Sequence, residues 1–227
     1  MIAFRDELLA RAVTTLETEG AAAIHLFGSL ARGDGDVLSD IDLWATVPDA
    51  EIERVIERRF EIFDAVAEIV IHHEAPRNRP LGGSYTLVIH RVGDALIQAD
   101  YYFAPESTSV VLPEAKRLGG QRSLPRGRWA LDSTAEAVED LRERIDFLVC
   151  MSFIGVKKVL RRDRAFVEFL EREFERFAVE SLPISPPPGA AVDLDLIAGR
   201  LRALESVASD RQCAAIAAIL EHVRAHR

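Results

Sequence analysis

The stretch LFGSLARGDGDVLSDIDLWA, residues 26–45, gathers in a short span the residue types that handle phosphate and divalent metal. Gly28 and Ser29 follow the apolar run AAAIHLF at 21–27. They therefore end a predicted strand and open a short helix, where backbone N–H groups and the Ser29 hydroxyl face an anion such as a nucleotide phosphate. Ten residues separate Ser29 from Asp40, enough for one helical turn and a loop returning to a neighbouring strand. In DIDLWATV at 40–47, Asp40 and Asp42 are two apart. That spacing sends both carboxylates to one face of a strand while Ile41 and Leu43 point into a core. Two carboxylates on one exposed face make a hard-oxygen site suited to magnesium.

The same parity locates a third carboxylate. In ALIQADYYF at 95–103, Gln98, Asp100 and Tyr102 share one face, and Ile97, Ala99, Tyr101 and Phe103 share the other. Asp100 is the odd residue at an apolar strand centre. Burying an unpaired carboxylate is costly, so a metal, a cation or a catalytic task is the expected compensation. Three acidic groups converging beside a phosphate cradle are what two-metal phosphoryl chemistry requires.

The elements that must position these residues can be read from periodicity. Phe4, Leu8, Leu9, Ala12 and Leu16 have helical spacing and stop at Gly20. EIERVIERRFEIFD, from residue 51, predicts one helix carrying Ile52, Val55, Ile56, Phe60 and Phe63 on one side. Three strand-like runs follow, at 68–73, 85–91 and 95–103, with turn residues between them that suit antiparallel hairpins. Past about residue 130 the pattern becomes helical. Ser133 and Glu136 have capping-box spacing ahead of a long helix, and Asp163 is placed to cap the next, with a stripe of Phe166, Leu170, Phe174 and Phe177. LPISPPPG at 182–189 interrupts, and helical patterns at 193–207 and 210–225 finish the chain. The expected class is α+β: a mixed sheet of about five strands with flanking helices in a domain at 1–129, then a helical bundle at 130–227.

Composition narrows the function. The 227 residues are 48% apolar and 29% charged, as in a soluble globular protein. No run approaches the ~18 apolar residues of a spanning helix, and Arg5, Asp6 and Glu7 stand where a signal peptide needs its apolar stretch. Cys150 and Cys213 lack CxxC or His spacing, so neither a disulfide framework nor a zinc site is supported. A cytoplasmic protein without a membrane partner is expected. The net charge of −9 opposes binding along nucleic acid, whose phosphates require a basic stripe. It favours a small cationic partner, or a nucleotide carried with magnesium.

The apolar strand, Gly28-Ser29, the ten-residue gap, Asp40-Ile41-Asp42 and a later strand carboxylate together resemble the DNA polymerase β type nucleotidyltransferase superfamily. The string GSLARGDGDVLSDIDL and the helical C-terminal half are most similar to bacterial aminoglycoside and lincosamide nucleotidyltransferases; GVKKVLRRDRAF at 155–166 extends the likeness. The resemblance implies that Gly28 and Ser29 contact a triphosphate and that Asp40, Asp42 and Asp100 hold two magnesium ions. It leaves Asp100 open between third metal ligand and general base, and implies Lys157 or Lys158, with Arg32, as contacts for phosphate charge. The implied reaction carries a nucleoside monophosphate, with ATP as the expected donor of AMP, to a hydroxyl of a small acceptor such as an aminoglycoside or lincosamide. A monomer or homodimer is expected. Two other readings share these residues: a protein-modifying transferase of the toxin and antitoxin kind, and a non-catalytic nucleotide-binding module on the same fold.

Taken singly, the same residues have plainer readings. Gly28-Ser29 alone is an ordinary turn, Asp40 and Asp42 alone a solvated strand edge, and Lys157, Lys158, Arg161 and Arg162 a basic helix end favoured by the helix dipole. His72 and His73, adjacent on a strand, face opposite ways and belong to a strand end. Glu68 and Glu74 can reach the site if their strand neighbours the third one, and otherwise are expected to face solvent. Trp129, near Arg126 and Arg128, either stacks on a base, lines an acceptor pocket, or anchors its loop to the helical half.

Overall fold

A helix at Ile2–Thr18 (α1) buries Leu8, Ala12 and Leu16, one residue per turn, and its chain direction is reset at Gly20, whose φ is +89°. A computed structural model describes residues 1–132, 140–181 and 193–226. The chain divides into two units, Met1–Ala137 and Val138–Arg227.

After α1 the first unit continues with β1 (Ala23–Phe27), α2 (Gly28–Arg32), β2 (Ile41–Val47), α3 (Ile52–Glu57), α4 (Arg59–Val66), β3 (Glu68–Glu74), β4 (Ser84–Val92), β5 (Ala95–Pro105) and β6 (Lys116–Gly120). Six strands form one mixed sheet in the order β3-β4-β5-β2-β1-β6. All neighbours are antiparallel except β2 and β5, which run parallel at the centre. The sheet has one more strand than the five expected. β6, KRLGG, carries no alternation of apolar residues; it is an edge strand defined by its pairing with β1. The single helix expected after Asp49 is two, broken at Arg58, whose φ and ψ of −90° and 4° leave the helical range. Arg54 and Arg58 both reach back to Glu19 there, at 3.4 and 2.8 Å.

One face of the sheet takes the core. Ile24, Leu26, Ile41, Leu43, Ala99, Tyr101 and Phe103 pack with Leu8, Ala12 and Leu16 of α1 and with Val55, Ile62 and Phe63 of α3 and α4. Because side chains alternate along a strand, Phe27, Asp42, Trp44, Asp100 and Tyr102 are committed to the opposite face.

His90 belongs to the core face and is fully buried. Its Nδ1 donates to the Ala67 carbonyl at 3.0 Å, and its Nε2 accepts from the Tyr101 hydroxyl at 3.1 Å, which fixes a neutral ring. Burial lowers its pKa from 6.5 to about 4. The unfolded chain therefore takes up this proton first: stability is complete above about pH 6.5 and falls as the pH drops toward 4. His90 alone is expected to remove roughly 3 kcal/mol across that window. Denaturant titrations at pH 7 and pH 4.5 check this, and the His90→Gln chain should show the shallower dependence.

The second unit contains α5 (Leu141–Leu160), α6 (Arg164–Ser181), α7 (Leu194–Leu204) and α8 (Asp210–Ala225). The Asp140 carboxylate caps α5 by accepting from the Glu143 N–H at 2.8 Å. Ser133 and Glu136, and the 182–189 segment, lie outside the described residues. Asp163 accepts from the Phe166 N–H at 3.2 Å, Asp193 caps α7, and Ser209 forms a capping box with Gln212 on α8. On α6 the buried stripe is Val167, Leu170, Phe174 and Phe177, with Phe166 only half-buried. Gly155 lets α5 approach its neighbours: a side chain there would stand 2.8 Å from Leu170 and 3.2 Å from Ile197. Among the described residues no helix is long and apolar enough to cross a membrane.

Candidate active site on the open sheet face

The geometry around Gly28 follows from two strand registers. In the antiparallel β1–β2 pair, Phe27 lies opposite Asp42, so the turn that leaves β1 starts beside that carboxylate. Gly28 has φ +70°, and a Cβ built on it would overlap Asp42 Oδ2 and stand 3.0 Å from Asp42 Cγ. Glycine is required here twice, by backbone conformation and by the carboxylate lying against it. Ser29 is the next residue, on the single short helix α2, which stops at Gly33 in the left-handed conformation.

The loop between α2 and β2 is tied rather than slack. The Asp36 N–H donates to Ser39 Oγ at 2.9 Å, the Leu38 N–H donates to Asp36 Oδ1 at 2.9 Å, and Arg5 donates to the Asp36 carbonyl at 2.6 Å. This closes the ten-residue gap and delivers the chain into β2. Asp40 stands one residue before the ladder begins at Ile41, so of the expected aspartate pair only Asp42 is a strand residue.

In the parallel β2–β5 pair, Asp42 lies opposite Asp100 and Trp44 opposite Tyr102. Two successive rungs on the same face are thus a pair of carboxylates and a pair of aromatic rings. Asp100 is 9% exposed and accepts from Gln98 Nε2 at 2.9 Å. The Tyr102 hydroxyl is pushed up first by burial and then by the negative charges of Asp100, Asp42 and Asp40, so one phenol senses all three carboxylates. Tyr85, from β4, is pushed up first by burial and then by the negative charge of Asp100. Both phenols remain protonated donors. Among the described residues no three His, Cys, Asp or Glu side chains form a ready-made metal cage. The pair of opposed carboxylates fits the chemistry of magnesium, which is held by one or two carboxylates, with substrate phosphates and water completing the shell.

Beside the acidic rung lies an aromatic floor. Trp129 stacks on Trp44, with ring centroids 3.9 Å apart and planes at 19°, and meets Phe27 edge-on at 4.5 Å. Tyr102 lies 5.8 Å from Trp44 and 4.6 Å from Tyr85. The Trp129 indole donates to the Val110 carbonyl at 3.1 Å. These partners belong to the first unit, so Trp129 anchors its loop to the sheet face.

The remaining expected residues are placed as follows. Arg32, at the end of α2, is exposed and ion-paired with Asp34 at 3.2 Å. Lys158 is held by Asp163 at 3.0 Å and lies over the Phe166 ring. Lys157 is 5% exposed, with its ammonium 5.8 Å from the Phe153 ring centroid. Glu68 pairs with Arg91 and Glu74 with Arg59, on a strand separated from β5 by β4. His72 lies against Phe60, 4.3 Å between centroids, and burial holds His73 at about 4. The sequence reading missed the hydrogen bond of Gln98 to Asp100 and the diagonal placement of Tyr85 beside it; shared parity with Asp100 was the available signal for Gln98, while Tyr85 required knowledge of strand order.

No curated protein matches the chain. Residues 7–78 match the model of a family described as a nucleotidyltransferase domain, and this stretch contains Gly28, Ser29, Asp40 and Asp42 but not Asp100. The match supports the DNA polymerase β type nucleotidyltransferase superfamily, with which the mixed sheet, flanking helices and C-terminal helices are consistent.

Proposed function

We propose that the protein transfers a nucleoside monophosphate, AMP by expectation, from a nucleoside triphosphate to a hydroxyl of a small molecule, with aminoglycosides or lincosamides as the acceptor class. The observation that carries this reading is the rung of Asp42 and Asp100 next to Gly28, where a glycine-only turn borders two opposed carboxylates. Asp42 and Asp100, with Asp40 adjoining, would hold magnesium. Bound magnesium supplies charge neutralisation on the triphosphate. The Ser29 hydroxyl and the backbone at Gly28 bind the phosphates. Asp100 takes the proton from the acceptor hydroxyl; the acceptor oxygen then bonds to the α-phosphorus in line as the bond to the bridging oxygen breaks and pyrophosphate leaves. The aromatic floor excludes water on one side, which strengthens the electrostatic contribution of these groups. The net charge of −9 favours a cationic acceptor.

Mass spectrometry of a panel of aminoglycosides and lincosamides incubated with the protein, magnesium and each nucleoside triphosphate tests the reading. The expected product is one acceptor heavier by a single nucleotide, formed with an equal amount of pyrophosphate. Tight nucleotide binding with no adduct on any acceptor points to the non-catalytic module, and label appearing on protein points to the protein-modifying alternative; either result rejects the small-molecule assignment.

A further inference from the structure

Asp100 has two neutral polar side chains beside it, from two strands. Gln98, two residues earlier on β5 and therefore on the same face, donates from Nε2 to Asp100 Oδ1 at 2.9 Å. Tyr85 sits on β4 opposite Tyr102, one same-face step from Leu87, which lies opposite Asp100. This diagonal placement is within reach of a long aromatic side chain, and the Tyr85 ring lies 4.6 Å from that of Tyr102, on the face that carries Asp100. All three side chains are buried, at 4%, 8% and 9% exposure for Gln98, Tyr85 and Asp100. An amide and a phenol orient a carboxylate without cancelling its charge, so their contacts preserve its attraction for a cation. Groups of this kind behind a metal-binding carboxylate fix its angle and basicity.

We infer that Gln98 and Tyr85 are positioning residues that hold the Asp100 carboxylate in register with Asp42 for divalent metal and nucleotide. The inference rests on the function proposed above. Neither residue touches the reacting atoms; each acts through Asp100. Gln98 lies beyond the 7–78 family match, as do Tyr85 and Asp100.

The test uses the full chain with Gln98→Met, which keeps the side-chain length and removes the donor, and Tyr85→Phe, which removes one hydroxyl. Manganese affinity is measured by electron paramagnetic resonance in the presence of a non-hydrolysable ATP analogue, alongside thermal unfolding. Each variant is expected to bind manganese about 10–100-fold more weakly while melting close to the wild type. In an Asp100→Asn background, either substitution should add little further loss, because the group being oriented is gone. Wild-type affinity in both single variants overturns the inference and leaves the parent reading intact. A lowered melting temperature with unchanged affinity also overturns it, since the residues would then serve the sheet alone. Failure of the wild type itself to bind manganese rejects the parent reading, and this inference with it.

Discussion

An alanine at position 28 is expected to reduce nucleotidyl transfer by about 10²-fold or more and to destabilise the first unit. Two independent strains meet there. The backbone has φ +70°, a conformation that costs an L residue roughly 1–2 kcal/mol. The added methyl would also overlap Asp42 Oδ2, so the carboxylate or the turn has to move. A displacement of ~1 Å at a reacting centre is enough to lose ~10²-fold in rate. Thermal unfolding read together with turnover checks the two effects separately. An alanine variant with wild-type turnover would show that Asp42 does not need its present position against the turn.

The coupling of the turn to Asp42 explains why a glycine and an aspartate fourteen positions apart in sequence act as one unit. Register places Phe27 opposite Asp42, and the left-handed glycine then folds the chain back over the carboxylate. On the other side of β2 the parallel register brings in Asp100. The aromatic rung of Trp44 and Tyr102, covered by Trp129, lines one flank of the acidic rung with apolar surface. In such surroundings charge interactions are stronger than in water.

Much of this arrangement is legible from residue parity. The period of two along β2 and β5 assigns Ile41, Leu43, Ala99 and Tyr101 to the core, and Asp42, Gln98, Asp100 and Tyr102 to the other face, without any knowledge of strand order. What parity does not contain is which strands are neighbours. The diagonal from Tyr85 to Asp100 depends on β4 pairing with β5, and the stacking of Trp129 on Trp44 depends on the path of a long loop. β6 was missed because KRLGG has no apolar alternation; hydrogen bonds to β1 make it a strand. The break between α3 and α4 was missed for the opposite reason, since the apolar periodicity runs through Arg58 although the backbone does not. The stop at Glu19, to which Arg54 and Arg58 are both bound, is a tertiary signal.

Asp42→Asn tests the central claim most directly, because it removes one negative charge while keeping the shape that packs against Gly28. If Asp42 and Asp100 together hold the metal–nucleotide complex, losing one of them forfeits several kcal/mol of transition-state stabilisation; about 4 kcal/mol corresponds to a ~10³-fold slower rate. The measurement is magnesium-dependent pyrophosphate release by the wild type and by Asp42→Asn with the same acceptor, with thermal unfolding confirming that both chains are folded. The account predicts release by the wild type and a loss of about 10³-fold in the variant at an unchanged melting temperature. Release at the wild-type rate from a folded Asp42→Asn chain would contradict it.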